Sequence, residues 1–229
     1  MKPLLTARGL SAGYGGTTVV WDVDVDVHEG EVVALLGANG AGKSTTLLTL
    51  CGDHPASGGE VLLFGQPTKA PLSVRAAQGL AMVPEDRSVF SGLTVRENLR
   101  VSRSDQDQAL ELFPELIPLI DRKAGLLSGG EQQILSLARA LSRNPRLLLA
   151  DELSLGLAPK VVSRLIEAVS DAAVNRGVGV LLVEQHAQQA LRVADRVLVM
   201  RRGRIVLNMP AEEVSKDLSL LEDTYLTGG

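Results

Sequence analysis

A glycine-rich loop between two apolar segments constrains the fold of this chain most strongly. Residues 37–44 have the sequence GANGAGKS, which fits the pattern G-x-x-x-x-G-K-[ST]. The apolar run at residues 32–36 precedes the loop as a buried strand would, and residues 46–50 follow it with helix-compatible spacing. Glycines let backbone N–H groups point at phosphate oxygens, and a helix N-terminus adds partial positive charge. The sequence therefore predicts a loop that binds the phosphates of a nucleoside triphosphate.

The residues of this loop have distinct predicted tasks. Lys43 can reach the β- and γ-phosphates, and the Ser44 hydroxyl can bind Mg²⁺. The predicted nucleotide-binding residues of the segment are Gly37, Ala38, Asn39, Gly40, Ala41, Gly42, Lys43, Ser44 and Thr45.

Composition narrows the class of protein. The 229 residues, 45% hydrophobic and 22% charged, suit one large globular domain or a domain with a subdomain. A net charge of −4 gives no broad electrostatic footprint for nucleic acid, so we expect no nucleic-acid partner. Cys51 is the single cysteine, which excludes a disulfide framework and fits a reducing cytoplasm. We find no signal peptide and no apolar run near the roughly 20 residues that cross a bilayer, so another chain would have to supply any membrane span.

Two strands, over residues 4–10 and 18–27, are predicted ahead of the loop. In the second, valines alternate with aspartates from Asp22 to Val27, which predicts a strand with one buried face. A calcium loop would need Gly and Glu where the chain has Val27 and Val33, so a solvated strand face is favoured. Between the strands, a glycine-flanked turn presents Tyr14, whose ring could stack on adenine, although a plain surface tyrosine is the commoner arrangement.

Residues 86–144 are predicted to be mostly helical and to be inserted into a chain of alternating strands and helices. Strands are expected over 58–65 and 79–83, and a capping box at 94–97 opens a helix. Pro114 and Pro118 are expected to interrupt the helices over 105–123.

The segment LSGGEQQ, residues 127–133, starts a second capped helix. Ser128 and Glu131 form the capping box, and the apolar positions that follow recur with helical spacing. Gly129 and Gly130 each lower helix propensity by about 1 kcal/mol, which a merely structural helix has little reason to accept. Two interpretations remain at this point: an anion site made by bare N–H groups, or an ordinary capped helix.

Ionisable residues follow two apolar runs that are typical of buried strands. Leu147 to Ala150 leads into Asp151 and Glu152, and Val180 to Val183 leads toward His186. At the carboxyl edge of a parallel sheet, one acid can hold Mg²⁺ and the next can face an attacking water. Adjacent acids are otherwise common turn residues. His28 and His54 lack such neighbours, and we interpret them as surface or turn histidines.

The rest of the chain is less informative. A helix is predicted from Pro159, a hairpin over 196–207 with a solvated basic turn, and a peripheral helix over 211–226.

The phosphate loop, the LSGGEQQ segment and the Asp151-Glu152 pair occur in the order found in ATP-binding-cassette (ABC) ATPases, and the chain resembles this family over nearly its whole length. The resemblance implies an α/β fold: a P-loop NTPase core with a RecA-like, mostly parallel sheet, an N-terminal antiparallel β subdomain and an inserted α-helical subdomain. It implies one ABC ATPase domain over 1–229, with 1–85 and 145–229 as the ATP-binding lobe and 86–144 as the helical signature subdomain.

The resemblance also implies roles at the nucleotide. Lys43, Ser44 and Thr45 would hold phosphates and Mg²⁺, with Asp151 as the second group on the metal. Tyr14 would stack on adenine.

Catalytic roles are implied in the same way. Glu152 would be the base that polarises water, and His186 would clamp the γ-phosphate. Residues of the helix start would contact the γ-phosphate of ATP bound to a second ABC ATPase subunit, since two cassettes close head-to-tail over two nucleotides. These are Ser128, Gly129 and Gly130.

Two positions depart from the usual family pattern. Glu85 stands where Gln is usual; it keeps an oxygen ligand near Mg²⁺ but adds a charge beside the γ-phosphate. Leu153 stands where Pro usually follows the acidic pair, which is expected to loosen the backbone after Glu152.

Several segments are similar to the ATPases of branched-chain amino-acid importers, in which a glutamate at the position of Glu85 is typical. These segments are residues 83–87, 89–90, 93–95, 97–99, 111–114 and 154–159. This implies ATP hydrolysis that drives solute uptake through separate permease subunits, with a solute-binding protein acting indirectly. The chain would sit in the cytoplasm at the inner face of the cell membrane, paired with an identical or a sister ATPase. Arg87, Phe90 and Leu93 are predicted to line the groove that takes a cytoplasmic helix of the permease.

Other functions are less favoured. The resemblance also fits the ATPase of another transport system. ABC ATPases outside transport usually carry a long coiled-coil insert or two cassettes on one chain, and we see neither. A nucleotide binder without hydrolysis would not need Glu152 and His186.

Overall fold

A six-stranded sheet crosses the middle of the molecule in the computed structural model, which describes residues 3–219. The strand order is β10-β9-β3-β8-β7-β6, parallel except for the β9–β10 hairpin. The strands are β3 (Val32–Leu36), β6 (Leu80–Val83), β7 (Leu147–Asp151), β8 (Gly179–Glu184), β9 (Arg196–Arg201) and β10 (Arg204–Pro210).

The central strands are buried on both faces, which explains their near-continuous apolar sequences. In β3, Val33 and Leu35 face one hydrophobic cluster, whereas Val32, Ala34 and Leu36 face the other. Because side chains alternate along a strand, one sheet separates two cores.

A second sheet of four antiparallel strands, in the order β2-β1-β4-β5, covers one face of the six-stranded sheet together with α1. Its strands are β1 (Pro3–Tyr14), β2 (Thr17–His28), β4 (Gly58–Leu63) and β5 (Gln66–Pro67). Both β1 and β2 extend further than predicted, up to the turn at Gly15 and Gly16. Along β2, Val23, Val25 and Val27 are buried while Asp22 and Asp24 are exposed, as expected for a solvated strand face.

Helices cover the opposite face, where α5 and α6 supply much of the second cluster. In chain order, the helices of both faces together are α1 (Lys43–Cys51), α2 (Leu72–Ala77), α3 (Val95–Val101), α4 (Gln106–Leu112), α5 (Gly129–Leu141), α6 (Pro159–Arg176), α7 (Ala187–Ala190) and α8 (Ala211–Lys216), with 3₁₀ helices at Pro114–Leu119 and Ala124–Leu126. The antiparallel sheet and the mixed sheet with its helices confirm the predicted α/β fold class.

The middle segment, residues 86–144, contains α3, α4, both 3₁₀ helices and α5. Its buried side chains, such as Leu99, Phe113 and Leu116, belong to the same hydrophobic cluster as the helical face of the sheet. The division into a core lobe and a signature subdomain stays a prediction.

The C-terminal part differs from its prediction in extent. The helix expected over 211–226 ends at Lys216, and residues 220–226 lie outside the described residues. Ala211 and Val214 are buried in the core cluster, so α8 is packed against the sheet rather than merely peripheral. Within residues 3–219 no helix combines the length and the apolarity that crossing a membrane requires.

Candidate functional site

The glycine loop joins the end of β3 to the start of α1, as predicted. Gly42, the residue before α1, has φ of 107° in the region that favours glycine. A Cβ atom at this position would also lie 3.3 Å from Met200 Sδ and 3.4 Å from a methyl group of Val20. Gly42 is therefore needed both for its backbone conformation and for close packing.

The turn between β9 and β10 supports this loop from outside. The Gly203 N–H donates to the Ala41 carbonyl at 2.8 Å, and the Gly203 carbonyl accepts from the Trp21 N–H at 2.7 Å. The turn thus connects the loop to β2. The sequence predicted only a solvated basic turn here. It could not predict the supporting role, which depends on backbone contacts between distant segments.

Lys43 is 5% exposed and its ammonium group lies inside the loop. It donates to the carbonyls of Gly37 at 2.8 Å and Ala38 at 3.3 Å, and its Nζ is 3.6 Å from Glu152 Oε1. A buried ammonium needs such partners. The positive charge is thereby held where the loop would meet a phosphate.

A cleft of about 330 Å³ opens over the loop. It brings together residues of the loop, of the segment after β6 and of the ends of β7 and β8; its lining residues are Val19, Asn39, Gly40, Gly42, Lys43, Ser44, Thr45, Glu85, Glu152, Leu155 and Gln185. A larger cavity of about 680 Å³ between α1 and β4 contains none of the predicted catalytic residues. The smaller cleft is therefore the candidate site.

Asp151 ends β7 beside this cleft and is 5% exposed. The pKa of Asp151 is raised to about 6, mainly by burial; a hydrogen bond with Ser44 and the charge of Lys43 oppose this rise, and the charges of Glu152 and Glu85 add to it. Its Oδ1 atom is buried without a hydrogen-bond partner. An unpartnered carboxylate oxygen beside a hydroxyl fits the oxygen ligands that Mg²⁺ prefers.

Glu152 follows β7 with φ of +46°. Its N–H donates to the Val183 carbonyl at 2.9 Å, and its side chain is about one-tenth exposed and faces Lys43. A non-glycine residue in this backbone region costs about 1–3 kcal/mol and persists where neighbouring contacts enforce it. Neighbouring contacts therefore hold the Glu152 carboxylate in the cleft despite the free-energy cost of this backbone conformation.

Glu184, at the end of β8, was missed by sequence reasoning. It is 1% exposed, accepts from the Ser154 hydroxyl at 2.6 Å and from the Ser154 N–H at 3.1 Å, and lies close enough to Glu152 and Asp151 to feel their charges. The pKa of Glu184 is raised to about 7, mainly by burial; the hydrogen bonds from Ser154 oppose this rise, and the charges of Glu152 and Asp151 add to it. The signal in the sequence that could have identified Glu184 was its position as a carboxylate at the end of an otherwise apolar strand.

His186 and Tyr14 do not line the cleft. His186 is exposed at the N-cap of α7, and the neighbouring Gln185, which was not predicted, lines the cleft instead. The ring of Tyr14 is half exposed and lies 4.3 Å from the ring of His54, whose Nε2 donates to the Gly13 carbonyl at 2.9 Å. His54 therefore contacts a predicted site residue. The roles of Tyr14 and His186 stay predictions.

The start of α5 faces outward. Ser128 is exposed, its Oγ accepts from the Glu131 N–H, and its own N–H donates to the Glu131 carboxylate, so the predicted capping box is present. Gly129 and Gly130 are partly exposed, and a Cβ on Gly130 would lie 3.1 Å from Val161. Close packing against Val161 of α6 is therefore a structural reason for a small residue at Gly130, beside the predicted anion site, which stays a prediction.

The predicted docking residues lie on the segment between β6 and α3. Arg87 is half-buried and its guanidinium donates to Gln132 of α5 at 3.4 Å. Phe90 is 46% exposed, and Leu93 is half-buried. The buried Asn98 holds this segment, because it bonds both the N–H and the carbonyl of Phe90.

A glycine loop around a buried lysine, with acids at the ends of parallel strands beside it, defines a P-loop nucleotide-binding protein. The family model described as "ABC transporter" matches residues 20–154, more than half of the chain. The chain belongs to the ABC transporter ATP-binding family: it is an ATPase that binds ATP. Subunits of this family act with permeases.

Curated relatives match nearly the whole chain. The "high-affinity branched-chain amino acid transport ATP-binding protein BraG" of Pseudomonas aeruginosa is 45% identical, over 98% of this chain and all of that protein. The probable branched-chain amino acid transport protein LivF of Archaeoglobus fulgidus is 36% identical over 92% and 94% of the two chains. The lipopolysaccharide export protein LptB of Escherichia coli is 34% identical over 93% of each.

Solved structures share the fold. An ATP-binding cassette of an ABC transporter in its ADP conformation has a TM-score of 0.85 at 24% identity, covering 97% of this chain and 98% of that one. A dimeric bacterial ABC transporter cassette has a TM-score of 0.81 at 22% identity, covering 90% and 98%.

Proposed function

We propose that this chain is the ATP-hydrolysing subunit of an importer for a small solute, namely branched-chain or other hydrophobic amino acids. The observation that carries the choice of solute is the 45% identity to BraG over 98% of the chain. The segments around Glu85 and residues 154–159 support the same subfamily. Separate permease subunits would hold the chain at the cytoplasmic face of the membrane, and a solute-binding protein would act through them.

The geometry of the cleft supports hydrolysis. Lys43 and the loop N–H groups would hold the β- and γ-phosphates, while Ser44, Asp151 and Glu85 would hold Mg²⁺, which when bound offsets phosphate charge. Glu152, whose Oε1 lies 3.6 Å from Lys43 Nζ, would orient a water and accept its proton. As the water oxygen bonds to the γ-phosphorus, the bond to the bridging oxygen breaks, and ADP and phosphate leave.

The remaining predicted residues would complete the site. The outward-facing Ser128, Gly129 and Gly130 would reach the γ-phosphate bound by a second ABC ATPase subunit. Tyr14 would stack on adenine, and His186 would reach the γ-phosphate in the closed dimer. Arg87, Phe90 and Leu93 would receive the permease helix.

The test is to purify the chain from native membranes with its partners and to reconstitute the complex in lipid nanodiscs. We expect copurification of permease subunits, and ATPase activity that rises when a solute-binding protein carrying leucine is added. The same complex with Lys43→Ala should not respond. Copurification with lipopolysaccharide-export subunits would assign the chain to the other transport system among its relatives, and no permease at all would contradict a transport role.

A further inference from the structure

We infer that Glu184 and Ser154 form a positioning pair that fixes the backbone turn carrying Glu152. The inference rests on the proposed role of Glu152 as the base and adds two residues to that site. Glu184 is a buried carboxyl group that has no part in the proposed hydrolysis.

The turn after β7 is held at its first residue. Glu152 occupies the left-handed backbone region, its N–H donates to the Val183 carbonyl at 2.9 Å, and its own carbonyl accepts from the Leu155 N–H at 3.2 Å. Such a conformation needs surrounding contacts to persist. The first of these comes from β8.

Glu184, which follows Val183 in β8, holds the same turn at Ser154, two residues after Glu152. Glu184 Oε1 accepts from the Ser154 N–H at 3.1 Å, and Oε2 accepts from the Ser154 hydroxyl at 2.6 Å. Val183 and Glu184 thus fix the backbone on both sides of Leu153. Because both oxygens bind one residue, the carboxyl fixes the position and the orientation of Ser154 together.

The carboxyl group satisfies the buried Ser154 N–H and hydroxyl, but it is itself costly to bury at this position. The rest of β8 from Val180 to Val183 is apolar and fully buried, and another apolar residue would be less costly to bury there than a carboxyl. The free-energy cost of burying the Glu184 carboxyl group is consistent with a function for its two hydrogen bonds to Ser154. Leu153 lacks the ring with which a proline fixes its own backbone, so its burial (1% exposed) and the bonds at Ser154 supply the restraint.

A loss of this restraint should lower turnover and leave ATP affinity intact. Lys43 and the phosphate loop are fixed by their own contacts, including the bond from Gly203 to Ala41. The carboxylate of Glu152, in contrast, moves with its backbone. A misplacement of about 1 Å at a reacting group can cost up to about 10²-fold in rate.

The experiment compares hydroxyl variants of the full chain by the kcat and KM of ATPase activity and by ATP affinity. Ser154→Ala should lower kcat about tenfold with ATP affinity within about twofold, and Ser154→Thr, which keeps the hydroxyl, should restore kcat. Ser142→Ala is the matched control, because the buried Ser142 hydroxyl also makes a 2.6 Å bond, to the Ala138 carbonyl at the end of α5. It should leave kcat unchanged.

A double-mutant cycle separates positioning from a general structural effect. In the Glu152→Gln background, Ser154→Ala should cause no further loss, because the group that it positions is already removed. A further tenfold loss in that background, or a parental kcat in Ser154→Ala, overturns the inference. Parental turnover in Glu152→Gln itself would instead overturn the proposed base.

Glu184→Leu tests the other partner. It removes both acceptors while keeping the strand apolar, and we expect the same fall in kcat with unchanged ATP affinity. Glu184→Gln keeps one acceptor for the Ser154 N–H and an amide for its hydroxyl, and should retain most of the turnover. A parental kcat in Glu184→Leu would contradict the pairing.

Discussion

At the scale of single residues, the site is defined by buried charges whose partners come from distant parts of the chain. Lys43 is held by the carbonyls of its own loop and by Glu152 from the end of β7. Asp151 and Glu184 are carboxyl groups whose pKa values are raised mainly by burial. Sequence motifs identified Lys43, Asp151 and Glu152, but they could not identify Glu184, whose importance comes from its contact with Ser154.

Lys43→Ala removes the charge inside the loop. Charge-assisted hydrogen bonds contribute about 1.5–3 kcal/mol each, so we expect ATP affinity to fall by at least about tenfold. Titration with a fluorescent ATP analogue measures this directly. Lys160→Ala, an exposed lysine at the start of α6, is the control. Unchanged affinity in Lys43→Ala would remove Lys43 from the phosphate site.

Glu184→Gln should change how stability depends on pH. The pKa of Glu184 is raised from 4.5 to about 7, so the folded chain holds this proton more tightly than the unfolded chain and the free energy of unfolding falls as pH rises between these values. Glutamine stays neutral throughout. The variant should therefore gain stability relative to the parent between pH 5 and pH 8, by up to about 3 kcal/mol at about 1.4 kcal/mol per pKa unit.

Urea unfolding of both nucleotide-free chains at pH 5 and pH 8 measures this difference. Asp151, whose pKa is also raised, is present in both chains, and its contribution cancels to first order. A stability difference that is the same at both pH values would show that Glu184 is not responsible.

At the scale of elements, periodicity and capping signals predicted the strands and helices around the site because those signals are local. The capping box at Ser128 and the apolar face that follows it were sufficient to predict the start of α5. Element ends that depend on distant contacts were predicted less well. The strands β1 and β2 extend to a shared turn, and the helix predicted over 211–226 is interrupted after Lys216, the last residue of α8.

Ser128→Asp separates the capping role from the proposed contact with a partner's phosphate. Aspartate caps a helix about as well as serine, so the free energy of unfolding should change by less than about 1 kcal/mol. A negative charge facing the γ-phosphate across the dimer should nevertheless abolish ATPase activity. Thr94→Asp is the matched control, because Thr94 caps α3 with the same type of box.

Thermal unfolding and ATPase assays of both variants give the answer. Equal activity in the two variants would leave Ser128 with a capping role alone.

At the scale of the whole molecule, a single sheet separates two cores and brings the carboxyl ends of β3, β7 and β8 to one edge. The start of α5 lies away from the cleft of its own chain and is accessible from outside. This arrangement supports a site that is complete only when two cassettes face each other.

Glu152→Gln should trap that dimer. Loss of a general base typically lowers turnover by about 10²–10⁴-fold, while the phosphate loop still binds ATP. Sedimentation velocity should therefore show dimers of this variant with ATP and Mg²⁺ but monomers with ADP. Addition of Ser128→Asp should remove the dimer. A chain that stays monomeric with ATP would contradict the head-to-tail arrangement.

Local patterns along the chain were enough to predict the strand-loop-helix unit, the helix starts, the order of the motifs and hence the family, because each depends on residues close together in the chain. Folding in three dimensions was needed to show that Gly203 supports the phosphate loop, that His54 lies against Tyr14, that Val161 packs closely against Gly130 and that Ser154 bonds to Glu184. These contacts join segments that are tens of residues or more apart. A sequence pattern does not show which distant segments lie close together in space. The packing of the two cores brings them together.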